Sequence, residues 1–226
     1  MKSKGAENMY IPNELISDFF RDINQFGIQY VLIKNIGGEL PDHLINGKDI
    51  DILVLEKDKN IFEKKMQKSG YSMVTHPLGV ANGWSFAYNL PEYQFWKKKD
   101  TEFELYIDAS FKLCCKSFMP KVWIPLDKKI NKDIWKNRLW DEKNEWWILD
   151  EKTELIYLLV RCIFDKHVFS EVYISEIERR KELLSESEVI EKLRLIFFRF
   201  TETLVDLVKK GQYESIIEQY ITFCDY

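Results

Sequence analysis

The sequence predicts an α/β (α+β) fold: a mixed sheet with helices over residues 10–149, then a helical domain over residues 150–226. Three observations predict it. Short runs rich in β-branched and aromatic residues alternate with amphipathic stretches through the first part of the chain. From Asp150 onward apolar residues recur at helical spacing, and Gly211 is the only glycine. Between them lies Gly47-Lys48-Asp49-Ile50-Asp51-Ile52-Leu53-Val54, an aliphatic strand interrupted by two aspartates.

The elements follow in order. Asn13 to Gln25 carries Leu15, Ile16, Phe19, Phe20 and Ile23 on one helical face, with Gly27 just past the end. Residues 28–34 and 49–55 read as strands. Asp58 is a cap candidate for a helix running to Ser69 and closed by Gly70. Further strands are predicted at 71–75, 83–89 and 103–111, with Leu90-Pro91 and residues 97–101 as turns. Residues 131–137 read as a helix, and 138–149 as a hairpin turning at Asp141-Glu142-Lys143-Asn144. Asp150 can cap the first of about four C-terminal helices, the others spanning about 172–184, 187–209 and 213–223.

Composition narrows the function classes. With 46% hydrophobic and 15% aromatic residues, the 226-residue chain has material for a core and is not a disordered polymer. A net charge of −4 gives no general attraction to nucleic acid, and basic runs such as Lys97-Lys98-Lys99 and Lys128-Lys129 are short. Cys114, Cys115, Cys162 and Cys224 match neither a zinc knuckle nor a Cys-x-x-Cys redox pair, and reduced thiols suit the cytoplasm. No initial apolar run resembles a signal peptide, and no window approaches a membrane span.

Asp49 and Asp51 carry the chemistry. Aspartate is disfavoured in strands, and a carboxylate among apolar neighbours is costly unless it is paired or holds a metal. Residues two apart in a strand face the same way, so the two carboxylates project side by side and can share divalent cations. A strand at 28–34 runs into Asn35-Ile36-Gly37-Gly38, and ten residues separate Gly38 from Asp49. A third acid, Asp108, lies in Phe103-Glu104-Leu105-Tyr106-Ile107-Asp108-Ala109; Glu104 would share its face in a regular strand.

Ile36-Gly37-Gly38 followed by Asp49-Ile50-Asp51-Ile52, with Asp108 on a later strand, resembles the nucleotidyltransferase superfamily that includes DNA polymerase β. Within it, the chain is similar to small nucleotidyltransferase-like proteins of bacterial surface-polysaccharide loci. The resemblance covers about the first half of the chain. It implies transfer of a nucleoside monophosphate from an NTP such as ATP to an acceptor. Two Mg²⁺ ions would be held by Asp49, Asp51 and Asp108, which are also the catalytic residues, and Gly37 and Gly38 would cradle the phosphates. Lys34 and Lys48 flank the motif and can meet phosphate as point charges. The acidic net charge favours a small-molecule or glycan acceptor over nucleic acid. Gly38 stands where many members have serine, and a nearby arginine of some members is missing; both differences suit a catalytically silent nucleotide-binding or scaffold protein. A different class is opened by Arg161 and His167, whose Arg-x5-His spacing resembles the helical nucleotide-binding ribonucleases, with His167 alternatively ending its helix. His43 and His76 have no Cys or His partner at zinc-ligand spacing.

Overall fold

A computed structural model describes residues 9–98 and 102–225. Helix α1 spans Asn13–Gln25, and its stripe of Ile16, Phe19, Phe20 and Ile23 is buried. Gly27 follows at φ +66°, a left-handed helix exit that glycine adopts without strain. Strand β1 is Tyr30–Leu32, β2 is Asp49–Val54, and helix α2 is Lys59–Lys68. After α2 come β3 (Tyr71–Val74), β4 (Ser85–Phe86), β5 (Gln94–Lys98) and β6 (Tyr106–Ser110). Strands β7 (Cys114–Lys116) and β8 (Val122–Pro125), helix α3 (Lys128–Asn137), and strands β9 (Leu139–Asp141) and β10 (Trp146–Ile148) complete the mixed part. Helices α4 (Glu151–Val160), α5 (Glu171–Arg179), α6 (Ser187–Phe197), α7 (Phe200–Lys209) and α8 (Tyr213–Thr222) follow.

Seven strands form one mixed sheet in the order β3-β5-β6-β2-β1-β10-β9. Strand β2 pairs antiparallel with β1 and parallel with β6. One face of this sheet is the floor of a core. Ile50, Ile52 and Val54 from β2, Ile107 and Ala109 from β6, and Trp96 from β5 pack with Phe19, Phe20 and Phe62. Each large side chain so buried contributes about 1.5–3 kcal/mol of transfer free energy.

The chain groups into two compact units, Met1–Asn82 with Pro91–Phe111 and Trp140–Ile148, and Gly83–Leu90 with Lys112–Leu139 and Leu149–Tyr226. Relative to a 10–149 and 150–226 partition, segments 83–90 and 112–139 group with the helices. Within that second unit β4, β8 and β7 form a separate three-stranded sheet. Asp150 caps α4 through Thr153 N–H at 3.1 Å and Thr153 Oγ1 at 2.6 Å. No described helix is long and apolar enough to cross a membrane.

Several elements differ from expectation for definite reasons. The 83–89 strand shrinks to the two residues of β4, since Tyr88 and Asn89 both turn to positive φ. Lys97 and Lys98 are strand rather than turn: each ammonium lies over a tyrosine ring, Tyr106 at 5.2 Å and Tyr71 at 4.7 Å. Lys99, Asp100 and Thr101, the rest of the predicted turn, lie outside the described residues. Asp58 precedes α2 without capping it by its side chain; Oδ2 instead accepts the backbone N–H of Gln29 at 3.1 Å. The helix expected over 187–209 is two helices, because Phe198 adopts φ +50° and ψ −130°. Arg194 bridges the break to Glu202 with contacts of 2.9 and 2.7 Å.

Candidate metal centre

Strand alternation sorts β2 into two chemistries. Ile50, Ile52 and Val54 enter the core, so Asp49 and Asp51 project from the opposite face. Strand β6 runs parallel beside it in register, with Asp51 opposite Asp108 and Asp49 opposite Tyr106. Asp108 shares the Asp51 face because its neighbours Ile107 and Ala109 belong to the core. The outcome is a cluster in which one carboxylate oxygen from each of Asp49, Asp51 and Asp108 lies within 4.8 Å of the others. Among the described residues, no other group of three or more acidic, His or Cys side chains converges in this way.

The cluster is under-neutralised. Lys34 Nζ pairs with Asp51 Oδ1 and lies 3.9 Å from Asp108 Oδ2. Lys34 sits at φ +64°, a left-handed conformation uncommon for a side chain of this kind, immediately after the Ile33 N–H bonds the Asp51 carbonyl at 2.9 Å. Burial raises the Asp51 carboxyl, Lys34 works against it, and Asp108 and Asp49 add repulsion; the result is a value pushed up to about 7. Burial acts in the same direction on Asp108. There the hydrogen bond from His76 and the Lys34 charge prevail and hold the carboxyl below its ordinary range. Asp108 Oδ1 is buried with no hydrogen-bond partner. A buried anionic oxygen without a partner is costly, and hard divalent cations take carboxylate oxygens, so the donor set fits Mg²⁺ or Mn²⁺.

The other predicted residues are placed as follows. Gly37 and Gly38 take φ +81° and +66° in the turn after β1, and Gly38 has open space where a Cβ would stand. Asn35 shapes that turn by accepting the Leu40 N–H at 3.1 Å. Lys34 reaches the carboxylates, whereas Lys48 is tied to Glu39 at 2.8 Å. Glu104 lies before β6, exposed and bonded to Lys97 at 2.6 Å, so Asp108 is the third acid of the cluster. Arg161 is buried, 3.9 Å from Asp165 and between the rings of Tyr157 and Tyr173 at 5.9 and 5.7 Å. His167 ends a π-helical turn over Arg161–Lys166 at φ +53° and contacts the Phe118 ring at 5.6 Å.

His76 joins the cluster without a local sequence signal. It is buried, and its Nε2 lies 3.3 Å from Asp108 Oδ2. The contact is made across the sheet edge from the turn after β3, so no spacing in the chain announces it. The one hint is a polar residue next to Pro77, just past the predicted 71–75 strand.

No protein-family profile matches the sequence, and no curated protein matches it. Solved structures include similar chains. The antibiotic-resistance factor ANT(2'')-Ia is 8% identical with a TM-score of 0.46, over 89% of this chain and 97% of its own. The lincosamide antibiotic adenylyltransferase LnuA, lincomycin-bound, is 12% identical with a TM-score of 0.43, over 78% of this chain and 99% of its own. An antigenic nucleotidyltransferase-like protein from Paracoccidioides brasiliensis is 10% identical with a TM-score of 0.46, over 91% of both chains.

Proposed function

We propose that this protein is a Mg²⁺-dependent nucleotidyltransferase that moves a nucleoside monophosphate from an NTP to a hydroxyl of a small-molecule or glycan acceptor. The observation that supports it most is the convergence of Asp49, Asp51 and Asp108 from two in-register strands, with one buried oxygen unpartnered. Divalent cations bound there would neutralise triphosphate charge and lower the pKa of the acceptor hydroxyl. The chain's own groups do the rest. Gly37 and Gly38 turn at positive φ, and the open space at Gly38 where a Cβ would stand lets the loop backbone approach phosphate oxygens without a side chain in the way there. Asp108 would ligate a cation and help take the proton of the incoming hydroxyl. Lys34, already drawn to the carboxylates, can turn to a phosphate oxygen. The acceptor oxygen bonds to the α-phosphorus, the bond to the β-phosphate oxygen breaks, and pyrophosphate leaves. We place the protein in the cytoplasm, where the buried thiols of Cys114, Cys115 and Cys162 stay reduced.

The decisive assay is pyrophosphate release across the common NTPs, with sugar phosphates, glycans and cell extract as acceptor sources. Release from one NTP is the expected result. Asp108→Ala should reduce it by about a hundredfold or more while NTP binding changes little, because phosphoryl transfer depends on positioning and charge stabilisation. The Lys34–Asp51 ion pair favours a second reading, a catalytically silent nucleotide-binding protein whose site carries its own cation. Tight Mg²⁺–NTP binding with no turnover under any of these conditions would select it.

A further inference from the structure

We propose that His76 is the positioning residue for Asp108: it holds Oδ2 of that carboxylate and thereby reserves Oδ1 for a divalent cation. This rests on the reading of Asp49, Asp51 and Asp108 as a metal centre.

The ring is fixed at both nitrogens. Nδ1 accepts the backbone N–H of Leu78 at 2.8 Å. An imidazole nitrogen that accepts carries no hydrogen, so the hydrogen is on Nε2, which faces Asp108 Oδ2 at 3.3 Å and donates to it. With both nitrogens engaged, His76 has no lone pair for a metal or for a substrate proton. Its action is on the carboxylate alone. A hydrogen bond behind a metal-ligating group fixes its orientation, and the loss of such a bond typically weakens metal binding.

The surroundings clamp the ring in that pose. Tyr93 and Phe95 contact it at centroid distances of 5.2 and 5.1 Å. Phe95 is the register partner of Asp108 and stacks on Tyr106 at 5.2 Å, and Lys97 lies over the far side of the row at 5.2 Å from Tyr106. The His76 carbonyl accepts from Gly79 N–H at 3.0 Å and Asn82 Nδ2 at 2.9 Å. Gly79 permits this tight turn, since a Cβ there would stand 2.8 Å from Glu92 Oε1 and 3.2 Å from His76 Cβ. A histidine that merely filled space would need none of the two nitrogen contacts, and either hydrogen position would serve.

The test is Mn²⁺ binding to the full chain without nucleotide, followed by the electron paramagnetic resonance signal of free Mn²⁺, with melting temperature in EDTA measured alongside. Three variants separate the roles. His76→Gln retains a donor at similar reach to Asp108. His76→Asn retains an acceptor for Leu78 N–H but falls short of Asp108. His76→Phe keeps the ring packing without either bond. Wild type and His76→Gln should bind Mn²⁺ within about threefold of each other, and His76→Asn and His76→Phe about tenfold or more weaker. His76→Asn should melt near wild type in EDTA; if His76→Phe does not fold, the Gln and Asn variants decide. Mn²⁺ binding by His76→Asn equal to wild type, with Asp51→Asn unable to bind, overturns the role of His76 and leaves the metal centre standing. Wild type indistinguishable from Asp51→Asn removes the metal centre and this inference with it.

Discussion

At Lys192 every carboxylate has an ammonium within 3.4 Å; at Asp108 one buried carboxylate oxygen has no partner at all. The first cluster lies among α3, α4 and α6. Lys192 meets Glu188 at 2.9 Å and Asp133 at 3.4 Å, and Lys152 meets Glu186 at 2.7 Å and Glu188 at 3.1 Å. Its carboxylates remain partly solvated, and the hydrogen bonds from Lys192 and Lys152 hold the Glu188 carboxyl down to about 2. The second cluster sets three carboxylates against the single ammonium of Lys34, and the Asp51 carboxyl is driven up to about 7. Both clusters use Lys and acidic residues on regular elements. The difference teaches that ion pairing which closes on itself is structural, whereas a partly buried set left short of positive charge is suited to a cation from outside.

Removal of charge should therefore act with opposite sign at the two places. Lys192→Ala should destabilise the protein by about 2 kcal/mol, through loss of a buried stem and of both ion pairs. Urea unfolding measures it, and a change below a few tenths of a kcal/mol would erase the distinction. Asp51→Asn should stabilise the metal-free protein at pH 8 by about 1 kcal/mol, because it removes repulsion inside the cluster. Marked unfolding of that variant would show Asp51 to be a satisfied structural group.

The pH dependence sharpens the same contrast. The unfolded chain releases the Asp51 proton near its ordinary value of 3.8, while the native state keeps it until about 7. Across that interval the native state holds the extra proton, so this group makes metal-free stability fall as pH rises. Asp108 has the opposite sign, and Glu188 likewise: their carboxyls are held low, so their contribution is present above the ordinary carboxylate range and lost only in acid. Wild type in EDTA should lose stability between about pH 4 and pH 7, and Asp51→Asn should lose less. Equal slopes would contradict the origin assigned to the fall. The smallest effect belongs to Lys152→Ala, a surface pairing whose contribution should fade with added salt and whose loss should leave metal binding unchanged.

Much of the aspartate cluster was legible in the chain. Two aspartates spaced by one isoleucine in an aliphatic run force a same-face pair, and Asp108 between Ile107 and Ala109 repeats the signal on a neighbouring strand. Helix α1 and the Asp150 cap were likewise readable, because they depend on residues within one turn of each other. His76 was not, since its partner lies thirty-two positions away and is brought near only by sheet pairing. Strand β5 hid behind its lysines, whose cost is offset by tyrosine rings from other segments. The break at Phe198 hid because neither Gly nor Pro marks it. Phe198→Gly should relieve that backbone and stabilise the protein by about 1 kcal/mol in thermal unfolding, whereas Phe198→Ala, which keeps the strain, should not.

The most direct test of the central claim is a titration of Mn²⁺ into the metal-free protein, with and without each common NTP. If the proposed nucleotidyltransferase reading holds, the under-neutralised carboxylate cluster should bind Mn²⁺, bind it more tightly with one of the NTPs present, and lose both properties in Asp51→Asn. Binding that is absent, or that persists unchanged in Asp51→Asn, would contradict the account.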